Sequence, residues 1–339
     1  MKEVTTVGID LAKNIFHLHG VDKNGKVVFS KTLRRKQLMP FILNLQPCLI
    51  GIEACCSSYY WCRQFKKHGH TVRLISPQFV KPYVKTNKSD KNDAEAICEA
   101  VARPNMRFVP EKNVHQQDVQ VIHRVRSRLM TEKTRLTNAV RGFLAERGIF
   151  MTVGKWNLHK ELPVILETEN EEFTPMLREL VLEMYEELKQ IEDRISKMDK
   201  KIQQVFKSNE VCKRISEIEG IGPITATAIV AAVGDAHNFE NGRHMAAWLG
   251  LVPKQHSSGG KVRLMGISKR GDSYIRSLLV HGGRSVVYKA TNKTDSRSEW
   301  ITDKAIRRGN NKAAVAVANK NVRIIWKMMV SGEDYRKTA

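Results

Sequence analysis

The sequence predicts an α/β N-terminal domain built on a mixed sheet, then a long helical segment, then a mostly α-helical C-terminal body. Three observations predict this fold class. In the first hundred residues short, strand-like apolar runs alternate with helical periods. From about residue 114 to residue 206 the apolar residues recur at spacings of three, four and seven, as on helices. The charge also changes sign along the chain. Residues 1–150 carry 26 basic and 12 acidic side chains (+14), residues 151–210 carry 9 and 13 (−4), and residues 211–339 carry 22 and 10 (+12). The expected divisions are 1–112, 113–208 and 209–339.

The first three strands read as a meander. Val4 to Asp10, Ile15 to Val21 and Lys26 to Ser30 have strand-like composition, and Asp22-Lys-Asn-Gly25 supplies the second turn. A helix is expected from Arg34 to Leu45, a strand from Cys48 to Glu53, a helix from Ser57 to His68, a strand from Thr71 to Ile75 and a helix from Asp90 to Ala102. Three antiparallel strands followed by β-α-β-α units is the order of the ribonuclease H architecture.

Two long helices follow. Between Val114 and Arg147, Val119, Ile122, Val125, Leu129, Leu136 and Val140 form an apolar stripe, and Arg124, Arg126, Arg128, Lys133, Arg135 and Arg141 crowd the other positions. That basic face suits either a phosphate backbone or solvent. Between Pro175 and Phe206 the stripe ends in a heptad rhythm, Leu188, Ile191, Ile195, Met198 and Ile202, which a coiled coil between subunits or antiparallel pairing with the first long helix would bury.

The C-terminal body opens on Gly220-Ile-Gly222-Pro223, ahead of a helix from Ile224 to Val233. Glycines between helices let backbone N–H groups approach a phosphate, as in a helix-hairpin-helix element, and serve equally as a tight turn. Residues 251–290 then hold eight basic side chains against the single acid Asp272. Ser257-Ser258-Gly259-Gly260 in that field reads as a flexible anion-binding loop, with Lys261, Arg263, Lys269, Arg270 and Arg276 around it. A serine hydroxyl there could also attack phosphorus, given activation by a base, a metal or strong electrostatic help.

Four acids carry the clearest chemistry. Asp10 and Glu53 each close an apolar strand, while Asp90 and Asp93, three apart at a helix start, share one face. Carboxylates gathered at a sheet edge repel one another unless a hard cation neutralises them, so the pattern points to a site for two Mg²⁺ ions acting on phosphodiesters. Singly, each acid is also an ordinary cap or loop residue.

A net charge of +22 and a pI near 9.8 imply a polyanionic partner, nucleic acid above all. A hydrophobic content of 42% excludes a disordered chain. The six cysteines show no C-x-x-C spacing, and there is no signal segment and no apolar run approaching the roughly 18 residues of a membrane span. A cytoplasmic protein with reduced thiols is expected.

With these motifs in view, the chain resembles the DEDD-type transposases of bacterial insertion sequences, the family that includes the Piv invertase and is guided by a structured bridge RNA. The resemblance runs over nearly the full length. Its marks are Gly8-Ile-Asp10, Glu53-Ala54 with Tyr60-Trp61, Asp90-x-x-Asp93-Ala94, Gly220-Ile-Gly222-Pro223, Trp248-Leu-Gly-Leu-Val-Pro253, Ser258-Gly259 and Ile267-Ser-Lys-Arg-Gly271. It implies a RuvC-like domain in which Asp10, Glu53, Asp90 and Asp93 hold Mg²⁺. It also implies a nucleophile at Ser258, adjacent to Ser257, that forms a 5′-phosphoserine link to DNA. The implied partners are double-stranded DNA at the element ends and target, a bridge RNA, and further copies of the chain in a dimer or tetramer. Two other functions fit the residues: a RuvC-like resolvase or nuclease that cleaves with metal-activated water, and a non-catalytic nucleic-acid binder.

Overall fold

Val7 and Ile9 alternate with Gly8 in the first strand, and that alternation decides which face of the sheet is filled by side chains and which by a helix. In the computed structural model, which describes residues 3–85, 89–152, 154 and 157–336, the chain forms two units, 1–113 and 114–339.

The first unit contains β1 (Thr6–Leu11), β2 (Ile15–Val21), β3 (Val27–Arg34), α1 (Arg35–Leu43), β4 (Leu49–Glu53), α2 (Ser58–Lys67), β5 (Thr71–Ile75), α3 (Pro77–Val80), α4 (Asp90–Val101) and β6 (Phe108–Val109). The sheet order is β3-β2-β1-β4-β5-β6. β1, β2 and β3 pair antiparallel, β4 lies parallel to β1 and to β5, and β6 closes the edge antiparallel. The mixed sheet with helices agrees with the sequence reading. β3 runs on to Arg34 instead of stopping at Ser30 because Lys31 to Arg34 stay in register with β2.

On one face Val7, Ile9, Ile50 and Ile52 meet Leu38 and Ile42 of α1 and Trp61 and Phe65 of α2 in a single apolar core. On the other face α4 lies almost against the backbone. A Cβ on Gly8 would sit 2.2 Å from the Ala94 carbonyl oxygen, and one on Gly51 would sit 2.7 Å from Val101 Cβ. Either substitution forces helix and sheet apart, so these glycines set the depth of α4.

The second unit is helical apart from one hairpin. Its elements are α5 (Val114–Ala145), α6 (Asn157–Glu167), α7 (Pro175–Ser208), α8 (Glu210–Ile215), α9 (Pro223–Val233), α10 (Gly242–Trp248), β7 (Pro253–Ser258), β8 (Lys261–Ile267), α11 (Ser273–Ala290), α12 (Ser296–Arg308) and α13 (Asn310–Ser331). α5 and α7 pack antiparallel within the chain, since Arg126 pairs with Asp199 and, about two turns along, Lys133 pairs with Glu192. Leu129, Ile191 and Ile195 are buried between them. Of the basic residues on α5, Arg126 and Lys133 are therefore spent on α7, and Arg141 donates to the carbonyls of Thr152 and Gly154. α9, apolar nearly all round, is the centre of the C-terminal core with Met245, Leu249, Leu279, Val322 and Ile325. No helix among the described residues is long and apolar enough to cross a membrane.

Candidate functional site

The period of two along a strand places Asp10 on the face of Gly8 and Glu53 on the face of Gly51, which is the face α4 covers. Asp10 is next to last in β1 and Glu53 ends β4, its parallel neighbour. α4 starts at the same side of the sheet. Its N-cap is Ser89, whose side chain accepts from the Asn92 amide at 3.3 Å, so Asp90 and Asp93 are first-turn acids and not the cap itself. His17 stands directly opposite Asp10 in β2, and its Nε2 lies 3.4 Å from Asp90 Oδ2. Its Nδ1 faces Thr32 Oγ1 at 3.2 Å. His17 was not singled out in the sequence, because only the β1–β2 register brings it beside the acids.

The negative field at this edge is felt by Cys55. Burial pushes its thiol up to about 11, and the Glu53 and Asp10 carboxylates push in the same direction. Asp10 and Glu53 thus stand at the same ends of adjacent strands on the face α4 covers, and Asp90 reaches that end through His17; the donors of these acids and of Asp93 are all carboxylate oxygens, the set a hard divalent cation takes. Among the described residues no three His, Cys, Asp or Glu side chains close into a ligand group.

The stretch read as a flexible loop around Ser257 and Ser258 is a hairpin. Gly259 and Gly260 both have positive φ, 55° and 75°, the pair of values a two-residue type I′ turn requires. Ser258 pairs with Lys261, Ser257 with Val262, His256 with Arg263 and Gln255 with Leu264. Residues opposite one another share a face. One face therefore carries Ser258, His256, Lys261 and Arg263, and the other carries Ser257, Gln255, Val262 and Leu264. Gln255 Nε2 donates to Ser257 Oγ at 2.8 Å. All eight side chains are exposed.

The base of this hairpin is clamped where the Trp248–Pro253 and Ile267–Gly271 motifs cross. A Cβ on Gly271 would lie 2.0 Å from the Trp248 carbonyl oxygen, and one on Gly250 would lie 2.3 Å from that of Arg270. Arg276 Nη1 donates to the carbonyls of Leu249 and Arg270 at 3.1 and 2.7 Å. Through Nη1 it braces the base of the hairpin; the sequence places it among the candidate phosphate contacts. Lys261, Arg263, Lys269 and Arg270 are exposed. Asp272, the lone acid, caps α11 by accepting from the Tyr274 and Ile275 amides.

The glycine turn between α8 and α9 is divided. Gly220, at φ 85°, packs against Gly282 of α11, whose Cβ would lie 2.0 Å from the Gly220 carbonyl oxygen. Gly222 is exposed, with open space around it, and is the N-cap of α9.

Two transposase family signatures match the chain. Residues 7–149 match the DEDD transposase signature of IS110 elements, and residues 212–299 match the signature described as Transposase IS116/IS110/IS902 family. The chain is 49% identical over 334 residues to a probable family 20 transposase of Pseudomonas aeruginosa, covering 98% of this chain and 99% of that one. It is 44% identical to the transposase for insertion sequence element IS1111A of Coxiella burnetii, covering 99% and 92%. With the transposase for insertion sequence element IS1328 of Yersinia enterocolitica it shares 38% identity over 99% and 100%. The chain belongs to the IS110/IS116/IS902 family of insertion-sequence transposases.

Proposed function

We propose that this transposase cuts and rejoins DNA through a covalent intermediate on Ser258, with the acidic edge of the first unit holding the cation the reaction uses. The hairpin register carries the reading, because it puts Ser258 on the face that bears Lys261, Arg263 and His256 and turns Ser257 toward Val262 and Leu264. A phosphate drawn to the basic face meets one serine and not the other.

In this mechanism Ser258 Oγ attacks phosphorus, the Oγ–P ester forms as the P–O3′ bond breaks, and the serine proton ends on the departing 3′ oxygen. The products are a 5′-phosphoserine and a free 3′ hydroxyl. Attack by the 3′ hydroxyl of another strand runs the same step backwards and restores the serine. The number of phosphoester bonds is conserved, so no nucleotide hydrolysis is needed. Lys261 and Arg263 stabilise the charge that builds on the non-bridging oxygens. His256, two residues along the same strand face, is placed to exchange a proton with Ser258.

A DEDD transposase domain implies a divalent metal cation. Asp10, Glu53, Asp90 and Asp93 would hold it, as Mg²⁺ in a two-ion site, and their oxygen-only donors fit such an ion. When bound, the ion polarises the phosphate as a Lewis acid. The sheet order, three antiparallel strands and then parallel neighbours, supports kinship with ribonuclease H and RuvC-like domains. As a transposase the chain acts on DNA. A guide RNA is the further partner we assign, supported by the net charge of +22. Because the acids and Ser258 belong to different units, the reaction calls for both to act on one phosphodiester, within a chain or between subunits of a dimer or tetramer.

The test is cleavage of a supercoiled substrate carrying the element ends by protein purified with its RNA retained. Wild type should cut and join with Mg²⁺ and stop with chelator. Asp10→Asn and Ser258→Ala should bind DNA but neither cut nor join it. Cleavage by Ser258→Ala would assign the reaction to water.

A further inference from the structure

Beside the hairpin, the second unit holds a groove of about 1940 Å³ bounded by α10, α12, α13 and the segment after α13. Its charge is one-sided. α13 contains Lys312, Lys320, Arg323 and Lys327 and no acid in its 22 residues. At 3.6 residues per turn these four fall on one side of the helix, and all four line the groove. Gly242 of α10 makes room there, since a Cβ on it would sit 2.9 Å from Arg323 Cα.

The floor of the groove carries the more telling group. Arg297 of α12 is only 7% exposed. Its Nη1 donates to the Tyr335 hydroxyl at 2.5 Å and its Nη2 to Asn321 Oδ1 at 2.7 Å, while Nε has no hydrogen-bond partner. No carboxylate among the described residues forms an ion pair with Arg297, although Glu333 and Asp334 line the rim. Lys320, a charged neighbour of Arg297, is of its own sign. Lys320, stacked over the Trp300 ring at 4.5 Å, has its ammonium pKa lowered by burial and then by Arg297 and Arg323. A buried guanidinium without a counter-ion is costly, and an anion that enters the groove offsets that cost.

We propose that this groove binds the phosphate backbone of a nucleic acid, with one phosphate seated on Arg297 and neighbouring phosphates tracked by Lys312, Arg323 and Lys327. From Lys312 to Lys327 the helix rises about 22 Å, the length of about six nucleotide steps along one strand. Because Leu264 and Ile267 of the hairpin also line the groove, a strand lying in it runs toward the Ser258 hairpin. The inference rests on the reading of that hairpin as the place of chemistry only for its direction; binding itself stands apart.

The experiment uses full-length protein and fluorescence anisotropy across a salt series, with a labelled DNA duplex and a labelled RNA hairpin as probes. The triple variant Lys312→Gln/Arg323→Gln/Lys327→Gln removes exposed charges and should melt like wild type. It should weaken binding about 10- to 100-fold on one or both probes and flatten the slope of log K against log salt by about 2 to 3. Loss on the duplex alone assigns the groove to DNA, and loss on the RNA alone assigns it to RNA. Lys197→Gln/Lys200→Gln/Lys201→Gln on α7 is the charge-matched control and should change the slope by less than about 1. Unchanged affinity in the groove variant, or an equal fall in the control, overturns the proposal. Ser258→Ala should bind both probes as wild type does, so a failure of the serine mechanism and a failure of the groove read out separately.

Discussion

His17 Nε2 lies 3.4 Å from Asp90 Oδ2, across the edge where β1 and β2 meet the start of α4. Asp90 is two-thirds exposed, so the pair itself adds little stability. Its value is in holding this first-turn carboxylate beside His17, the residue opposite Asp10 in β2. His17→Ala should therefore leave the melting temperature nearly unchanged and weaken divalent-cation dependence, raising the Mg²⁺ concentration for half-maximal cleavage about 10-fold, the usual cost of losing a group that orients a metal ligand. An unchanged Mg²⁺ titration would remove His17 from this role.

Cys55 reports on the acidic edge without any need for catalysis. Burial, then Glu53, then Asp10 push its thiol up to about 11, so near pH 8 it is almost entirely protonated and slow to alkylate. Removing one carboxylate lowers that value and raises the thiolate fraction. In a Cys56→Ser background, Asp10→Asn should speed iodoacetamide labelling of Cys55, read by peptide mass spectrometry, by about 3- to 10-fold. Equal rates would mean that Asp10 does not face this site.

His123 makes a pH-dependent contribution in the second unit. It is buried, with Nδ1 3.0 Å from the Tyr274 hydroxyl and Nε2 3.0 Å from Thr227 Oγ1, and burial followed by Arg126 lowers its pKa to about 4. The folded state therefore resists a proton that the unfolded chain accepts near pH 6.5. The stability is present above pH 6.5 and is lost as pH falls from there toward 4, up to about 3 kcal/mol. Melting temperatures taken from pH 7.5 to 4.5 should fall, and His123→Gln should flatten part of that fall. His19 and His70, also lowered by burial, add to the same slope from the first unit.

If the acids and the serine of one reaction come from different subunits, two inactive proteins should rescue each other. Mixing Asp10→Asn with Ser258→Ala before adding DNA should restore about a quarter of wild-type strand transfer for random dimers, by mass action. No restoration at any ratio places both groups in the same subunit.

Much of the fold was legible because the strands and helices have strong periods. β2, β5 and the starts of α4, α5 and α7 fall where alternation, caps and Pro175 put them. The antiparallel pairing of α5 with α7 was one of two ways to bury the same stripe, and the charges of Arg126, Lys133, Glu192 and Asp199 select it. What escaped was mostly cross-strand. Ser257-Ser258-Gly259-Gly260 was weighed as an anion loop, although Gly-Gly between Gln255-His-Ser-Ser258 and Lys261-Val-Arg-Leu264 is also a hairpin signal. Composition could not show that two carbonyls, of Leu249 and Arg270, take up the Nη1 of Arg276. α6 and the two-residue β6 had too little pattern to stand out.

The most direct measurement is mass spectrometry of the protein–DNA adduct. Wild type with its RNA, Mg²⁺ and DNA carrying an element end is quenched in denaturant, digested with protease and nuclease, and searched for a nucleotide-bearing peptide. The account predicts phosphorylation at Ser258, an adduct that persists in Ser257→Ala and disappears in Ser258→Ala together with strand transfer. An adduct on Ser257, or efficient cleavage with no adduct at all, would contradict it.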